Sequence, residues 1–192
     1  MPAYEIEHTT PLSPSEKDQL AQAITDIHTR LFTTPSLFVN VRFVKVGDGG
    51  EEGEGGYYVG GRKTSVNRIL AHVRPGGDRS TAMFNQLTND INAAWREIIL
   101  RPHFPGKANG EGGGDKQQLQ QQQQRELRAV FILGTIIAGS EAGFMLPPAG
   151  GDRQWLRDNA DAFRAKAEKG DVDFQQLMRE METREDLRGI LG

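Results

Sequence analysis

The sequence predicts an α/β fold made of two tandem β-α-β units with a C-terminal helical extension. A period-2 strand pattern at Ala3 to Thr9 and a second strand at Val66 to Arg74, each followed by a helix-period apolar stripe and a returning apolar strand, predict the tandem units. Beyond Pro147-Pro148 only charged, amphipathic helical patterns remain, and these predict the extension.

In the first unit, Ala3 to Thr9 alternates Tyr4, Ile6 and His8 against Glu5 and Glu7, the pattern of a short strand. Ser13-Pro14-Ser15-Glu16 is a capping box with proline at the first helical position, so a helix begins there. Its stripe is Leu20, Ile24, Ile27 and Leu31, and Thr33-Thr34-Pro35 ends it. Leu37 to Val46, rich in Val and Phe, reads as the returning strand. Gly47 to Gly56 is acidic and glycine-rich but carries neither GK[ST] nor GxGxxG, and reads as a solvated connection.

After a short extended piece, Tyr57 to Gly60, the second unit runs from a strand at Val66 to Arg74 into a helix capped by Ser80. That helix has the stripe Phe84, Leu87, Ile91, Trp95 and Ile98, and Leu127 to Leu133 returns as a strand. Between them, residues 102–124 combine Gly110 to Gly114 with the run Gln120 to Gln124, a composition that cannot bury a core and reads as a mobile insertion at about 103–124. Arg153 to Glu168 and Phe174 to Leu187 read as the extension's helices, with Trp155, Leu156, Phe163, Leu177, Met178 and Met181 as packing positions.

Composition narrows the function. The 192 residues carry a net charge of −3 and no Lys/Arg-rich stretch, which argues against nucleic acid as the main partner. With zero cysteines, thiolate nucleophiles and cysteine metal sites are excluded. His8, His72 and His103 lie far apart in sequence and no H-x-x-x-H occurs, so neither a metal nor a cofactor is expected. The first residues hold Glu5, Glu7, Glu16 and Asp18 with no apolar leader, and no run reaches the ~20 residues of a membrane span. The expected address is the cytoplasm.

A few residues could carry chemistry. Removing Met1 would leave Pro2 as a secondary amine, and an α-amino group titrates near neutrality, at about 7.7–8.0, where it can act as acid or base. Arg74 and Arg79 bracket the turn Pro75-Gly76-Gly77-Asp78 at the start of the second helix. Cations there oppose the helix dipole unless an anion is nearby, so they read either as a carboxylate or phosphate cradle or as a pair in which Arg79 meets Asp78 or Asp90. His28 edges the first apolar stripe, where a core histidine fits as well as a site residue. Glu141 stands in the otherwise uncharged stretch 129–150, either exposed in a loop or facing a cationic pocket.

The opening Pro2-Ala3-Tyr4, the run Leu12-Ser13-Pro14-Ser15 through Ala23-Ile24-Thr25-Asp26-Ile27-His28, and the tandem β-α-β order resemble the tautomerase superfamily, within it the cis-3-chloroacrylic acid dehalogenase-like group. Val73-Arg74 with Asp78-Arg79-Ser80 resembles the group's paired arginines, and Glu141-Ala142-Gly143-Phe144 its glutamate segment. The resemblance covers residues 2–147 as a tautomerase-like domain, leaving 148–192 as the extension. It implies Pro2 as catalytic amine, Arg74 and Arg79 holding a small carboxylate substrate, His28 assisting at the carboxylate or carbonyl end, Glu141 at the water-activating position, and a homotrimer.

The sequence departs from the group where its dehalogenases place a tyrosine: Ile132 and Leu133 stand there, and Phe144 replaces an arginine. Keto-enol tautomerisation is therefore the expected activity, with hydration, dehalogenation or decarboxylation of three-carbon acids as one alternative. A non-catalytic oligomeric protein is the other.

Overall fold

The computed structural model describes residues 1–47, 57–104 and 116–190. Most of the expected Gly47 to Gly56 connection and of the glycine-rich part of the insertion lie outside the described residues. The first unit is β1 (Ala3–His8), α1 (Pro14–Phe32), a 3-10 turn (Ser36–Phe38) and β2 (Asn40–Lys45). A small hairpin, β3 (Tyr57–Val59) and β4 (Arg62–Thr64), precedes the second unit of β5 (Asn67–His72), α2 (Thr81–Trp95), α3 (Lys116–Arg125) and β6 (Leu127–Leu133). A second hairpin, β7 (Ser140–Glu141) and β8 (Phe144–Met145), leads to α4 (Asp152–Glu168) and α5 (Val172–Thr183).

The main sheet has the order β2-β1-β5-β6. Within each unit the strands are parallel, and the units meet through the antiparallel pair β1 and β5, with Tyr4 opposite Ala71 and Ile6 opposite Ile69. This is the tandem β-α-β arrangement expected from the pattern.

Local chemistry explains where the elements begin. Ser13 Oγ accepts from the Glu16 amide and Glu16 Oε2 accepts from the Ser13 amide, so the capping box is complete. Ser80 caps α2 by accepting from the Met83 amide. Alternation on β1 turns Tyr4, Ile6 and His8 inward, where Tyr4 and Ile6 meet Leu20, Ile24 and Ile27 of α1 and Leu87, Ile91 and Trp95 of α2 in one core.

Several boundaries differ from the sequence reading, among them the last helix, which spans Val172–Thr183 and not Phe174 to Leu187. The returning strand starts at Asn40, not Leu37, because Ser36–Phe38 forms a 3-10 turn closed by the Val39 amide on the Ser36 carbonyl. Helix α2 passes into a π turn at Arg96–Leu100, closed by the Arg101 amide on the Arg96 carbonyl at 2.9 Å, and Ile99 rather than Ile98 is fully buried there. The glutamine run, read as part of a mobile insertion, is helical as α3. Glutamine is a fair helix former, and the end of α3 is tied down: the Trp95 indole and the Asn67 amide donate to the Arg125 and Gln124 carbonyls, while Arg125 pairs with Glu16 at 2.6 Å.

The extension helices fold onto a second apolar cluster formed by Phe38, Leu156, Phe163, Phe174, Leu177 and Met181, which also includes Met1. Its aromatic rings meet edge to face or tilted, with Phe144–Phe163 centroids 4.7 Å apart and Phe163–Phe174 5.6 Å apart. Polar clamps fix the docking: Glu180 accepts from the Ser36 amide and hydroxyl, and Arg184 donates to the Thr34 and Thr29 carbonyls. Phe163→Ala removes the ring shared by these contacts and is expected to destabilise the protein by about 3–5 kcal/mol in urea unfolding.

Candidate active site around the N-terminus

The first strand starts almost at the chain terminus, so the terminus is held at the edge of the main core. The Pro2 carbonyl accepts from the Asn40 amide at 3.2 Å, continuing the β1–β2 ladder, and Met1 is only 3% exposed. In this chain the Pro2 nitrogen is an amide bonded to Met1, and the free amine belongs to Met1.

The second strand and the β7–β8 hairpin bring Glu141 toward the terminus. Asn40 Nδ2 donates to Glu141 Oε1 at 2.7 Å, so one asparagine holds Pro2 by its backbone and Glu141 by its side chain. The hairpin turn uses left-handed backbone at Ala142 (φ 51°) and Gly143 (φ 91°). Of the two environments the sequence allowed Glu141, the structure gives a half-buried hairpin position close enough to the amine to act on it electrostatically.

Arg74 and Arg79 follow β5 and are buried together. Arg74 donates through Nη1 to the Pro147 and Pro148 carbonyls and through Nη2 to Asp152 Oδ1 at 2.5 Å. Arg79 donates to the Arg74 carbonyl at 3.2 Å and to Asp152 Oδ2 at 3.3 Å, with its guanidinium 5.0 Å from the Phe32 ring centroid. The anion that the cationic helix start requires is therefore present. It is the chain's own Asp152, the first residue of α4, and neither Asp78 nor Asp90. Gly77 (φ 66°) permits this docking, since a Cβ there would lie 2.5 Å from the Ala149 carbonyl oxygen.

His28 is fully buried, its Nδ1 2.7 Å from the Tyr4 hydroxyl and its ring 4.7 Å from that of Phe32. Burial, helped by the terminal ammonium and both arginines, drives its pKa well below the ordinary 6.5, so the ring is neutral at physiological pH. Burial also raises the Tyr4 phenol above its ordinary 10.0, keeping it protonated. When the Tyr4 hydroxyl donates to Nδ1, the imidazole proton sits on Nε2, which has no hydrogen-bond partner among the described residues.

The amine feels all these groups. Burial lowers its pKa from 8.0 to about 5, Arg74 and Arg79 act in the same direction, and Asp152 and Glu141 oppose them. The structure thus brings Pro2, His28, Arg74, Arg79 and Glu141 to one place. Asp152 and Asn40 join them without having been singled out in the sequence, and Tyr4, read there only as a strand and motif residue, joins them through His28. A cavity of about 120 Å³ lined by Phe32, Met83, Arg79 and Asp152 opens beside the arginine cluster. Among the described residues, no group of acidic and histidine side chains could hold a metal ion, and no helix is long and apolar enough to cross a membrane.

The arrangement sets two buried guanidinium groups, their bridging carboxylate and a buried amine side by side. The fold is shared with N1, a member of the cis-3-chloroacrylic acid dehalogenase family (15% identity over 91% of this chain and 99% of that one, TM-score 0.56). It is also shared with RhCC from Rhodococcus jostii RHA1 (16% identity, 83% and 96% covered, TM-score 0.50) and with F6, a fused 4-OT solved as a wild-type asymmetric trimer (14% identity, 74% and 94% covered, TM-score 0.50). The chain belongs to the family described as "Putative oxalocrotonate tautomerase enzyme", whose profile matches residues 1–160. The resemblance to the tautomerase superfamily read from the sequence therefore holds. No curated protein matches the sequence.

Removing Asp152 leaves two buried guanidinium groups without their shared anion. Asp152→Ala is expected to cost about 3–5 kcal/mol in urea unfolding, with Asp152→Glu recovering part of it. His28 adds a pH dependence. Because the folded state keeps the ring neutral, its contribution is present above pH 6.5 and is lost as pH falls below it. The fall of Tm with acid should be shallower in His28→Gln than in the parent, and equal slopes would show that another group, such as His8, governs it.

Proposed function

We propose that the protein is a cofactor-independent keto-enol tautomerase acting on a small 2-oxo or unsaturated carboxylate, with Pro2 as the proton-transferring group once Met1 is removed. The observation that carries this reading is the convergence of a buried terminus, Arg74, Arg79, His28 and Glu141, in surroundings that lower the pKa of the Met1 amine to about 5. A freed Pro2 amine would lie beside the same arginines, which lower an amine's pKa and favour the neutral form that acts as a base.

The substrate carboxylate exchanges with Asp152 on the arginines. The Pro2 nitrogen takes a proton from the carbon next to the carbonyl, the electron pair moves onto the carbonyl oxygen, and the proton returns to the oxygen, so no oxidant or reductant is consumed. The developing enolate is stabilised by the guanidinium groups and by the His28 Nε2 proton. Residues 2–147 form the catalytic domain and 148–192 the extension in this reading.

Two further readings each have one supporting observation. Glu141, held by Asn40 beside the terminus, suits water activation in a hydratase, dehalogenase or decarboxylase of three-carbon acids. Asp152 seated on both arginines suits a non-catalytic oligomeric family member. We also propose a homotrimer. The helices cover one face of the main sheet, while the other carries Leu70, Leu133 and the 49%-exposed Phe131, and the structural relative F6 is itself an asymmetric trimer.

Intact-mass measurement establishes whether the N-terminus is Pro2. On that protein, Pro2→Ala should lower kcat/KM for phenylenolpyruvate ketonisation by about 100-fold or more, and the parent's kcat/KM should rise with pH on the acid side and level off at neutrality. Equal rates for the two proteins would remove the proline mechanism. Turnover confined to acetylenic or halogenated acids would favour the water-activating reading, and none of any substrate, with the fold intact, the non-catalytic one. Sedimentation as a monomer at micromolar concentration would overturn the trimer.

A further inference from the structure

Met1 is bonded to the Pro2 nitrogen, so the space it fills is by covalent geometry the space that the freed nitrogen faces. Its two ends meet different surroundings. The ammonium end is within electrostatic reach of Arg74, Arg79, Asp152 and Glu141. The side-chain end is buried, leaving the residue 3% exposed, in the apolar cluster built by Phe38, Leu156, Phe163 and Phe174.

We infer that Met1 is a stand-in for the substrate, and that its removal opens an apolar chamber next to the arginine cluster which takes the hydrocarbon tail of a 2-oxo carboxylate about as long as a methionine side chain. The inference rests on the proline reading for the identity of the reacting nitrogen. The chamber itself rests on packing alone.

The walls do not depend on Met1. Phe38–Phe163, Phe144–Phe163 and Phe163–Phe174 ring contacts, at 6.4, 4.7 and 5.6 Å, join the 3-10 turn, the β7–β8 hairpin and both extension helices without it. Close-packed apolar walls relax only partly when a side chain is deleted, and the resulting space stays dry and accepts small apolar molecules. Much of this wall comes from residues 156–190, so the extension selects for the tail.

Three probes separate the head of the substrate from its tail: pyruvate, 4-methyl-2-oxopentanoate and the uncharged 4-methyl-2-pentanone. Each is titrated into two forms of the full chain, one beginning at Pro2 and one retaining Met1 through inhibition of methionine removal, with Trp155 fluorescence and Tm as readouts. The Pro2 form should bind 4-methyl-2-oxopentanoate at least about tenfold tighter than pyruvate, and the ketone should raise the Tm of that form alone. Equal affinity for the two acids together with no ketone effect would overturn the chamber. Tail-selective binding without Pro2-dependent turnover would leave the chamber standing and overturn the proline reading instead.

Discussion

Two guanidinium groups cannot be buried side by side without an anion between them, and this constraint organises the site. Arg74 and Arg79 have side chains 4% and 3% exposed, where desolvation and mutual repulsion both act against the folded state. Asp152 bridges them, and its position in the first turn of α4 lets the helix dipole favour its charge. Since the same carboxylate joins the second β-α-β unit to the extension, α4 is held where its apolar side packs over the chain terminus. The ion cluster and the second apolar core are therefore coupled through one residue.

That coupling bears on how a carboxylate reaches the site. The Arg74 head is satisfied by Asp152 and by the Pro147 and Pro148 carbonyls, while its buried Nε has no partner among the described residues. Any external carboxylate would have to compete with an internal one at very high effective concentration.

Local rules made the main fold legible. The Ser13 capping box, the Ser80 cap and the alternation of Tyr4, Ile6 and His8 each determine structure within a few residues, so α1, α2 and β1 followed from sequence. The candidate residues Pro2, His28, Arg74, Arg79 and Glu141 were picked out mainly by the family resemblance, and the structure places them near one another around the chain terminus. Asp152 was not picked out, because its partners Arg74 and Arg79 are 78 and 73 residues away and an aspartate in the first turn of a helix is ordinary there. The helical glutamine run was missed because composition describes a segment's own burial and not the anchors, Asn67, Trp95 and Glu16, that other elements bring to it.

Met1 presents the same difficulty in its sharpest form. A chain terminus is normally solvated, and nothing in Met1-Pro2-Ala3 forecasts burial. Burial arises only because β1 begins at Ala3, with no slack to carry Met1 outward, while α4 and α5 close over the same end of the sheet. The position of Pro2 directly before β1 thus does two things. It fixes the Pro2 nitrogen in place through the Asn40 ladder bond, and it forces whatever is attached to that nitrogen into contact with both the arginine cluster and the apolar cluster. The terminus, the arginines and the extension are therefore packed as one unit although they lie far apart in sequence.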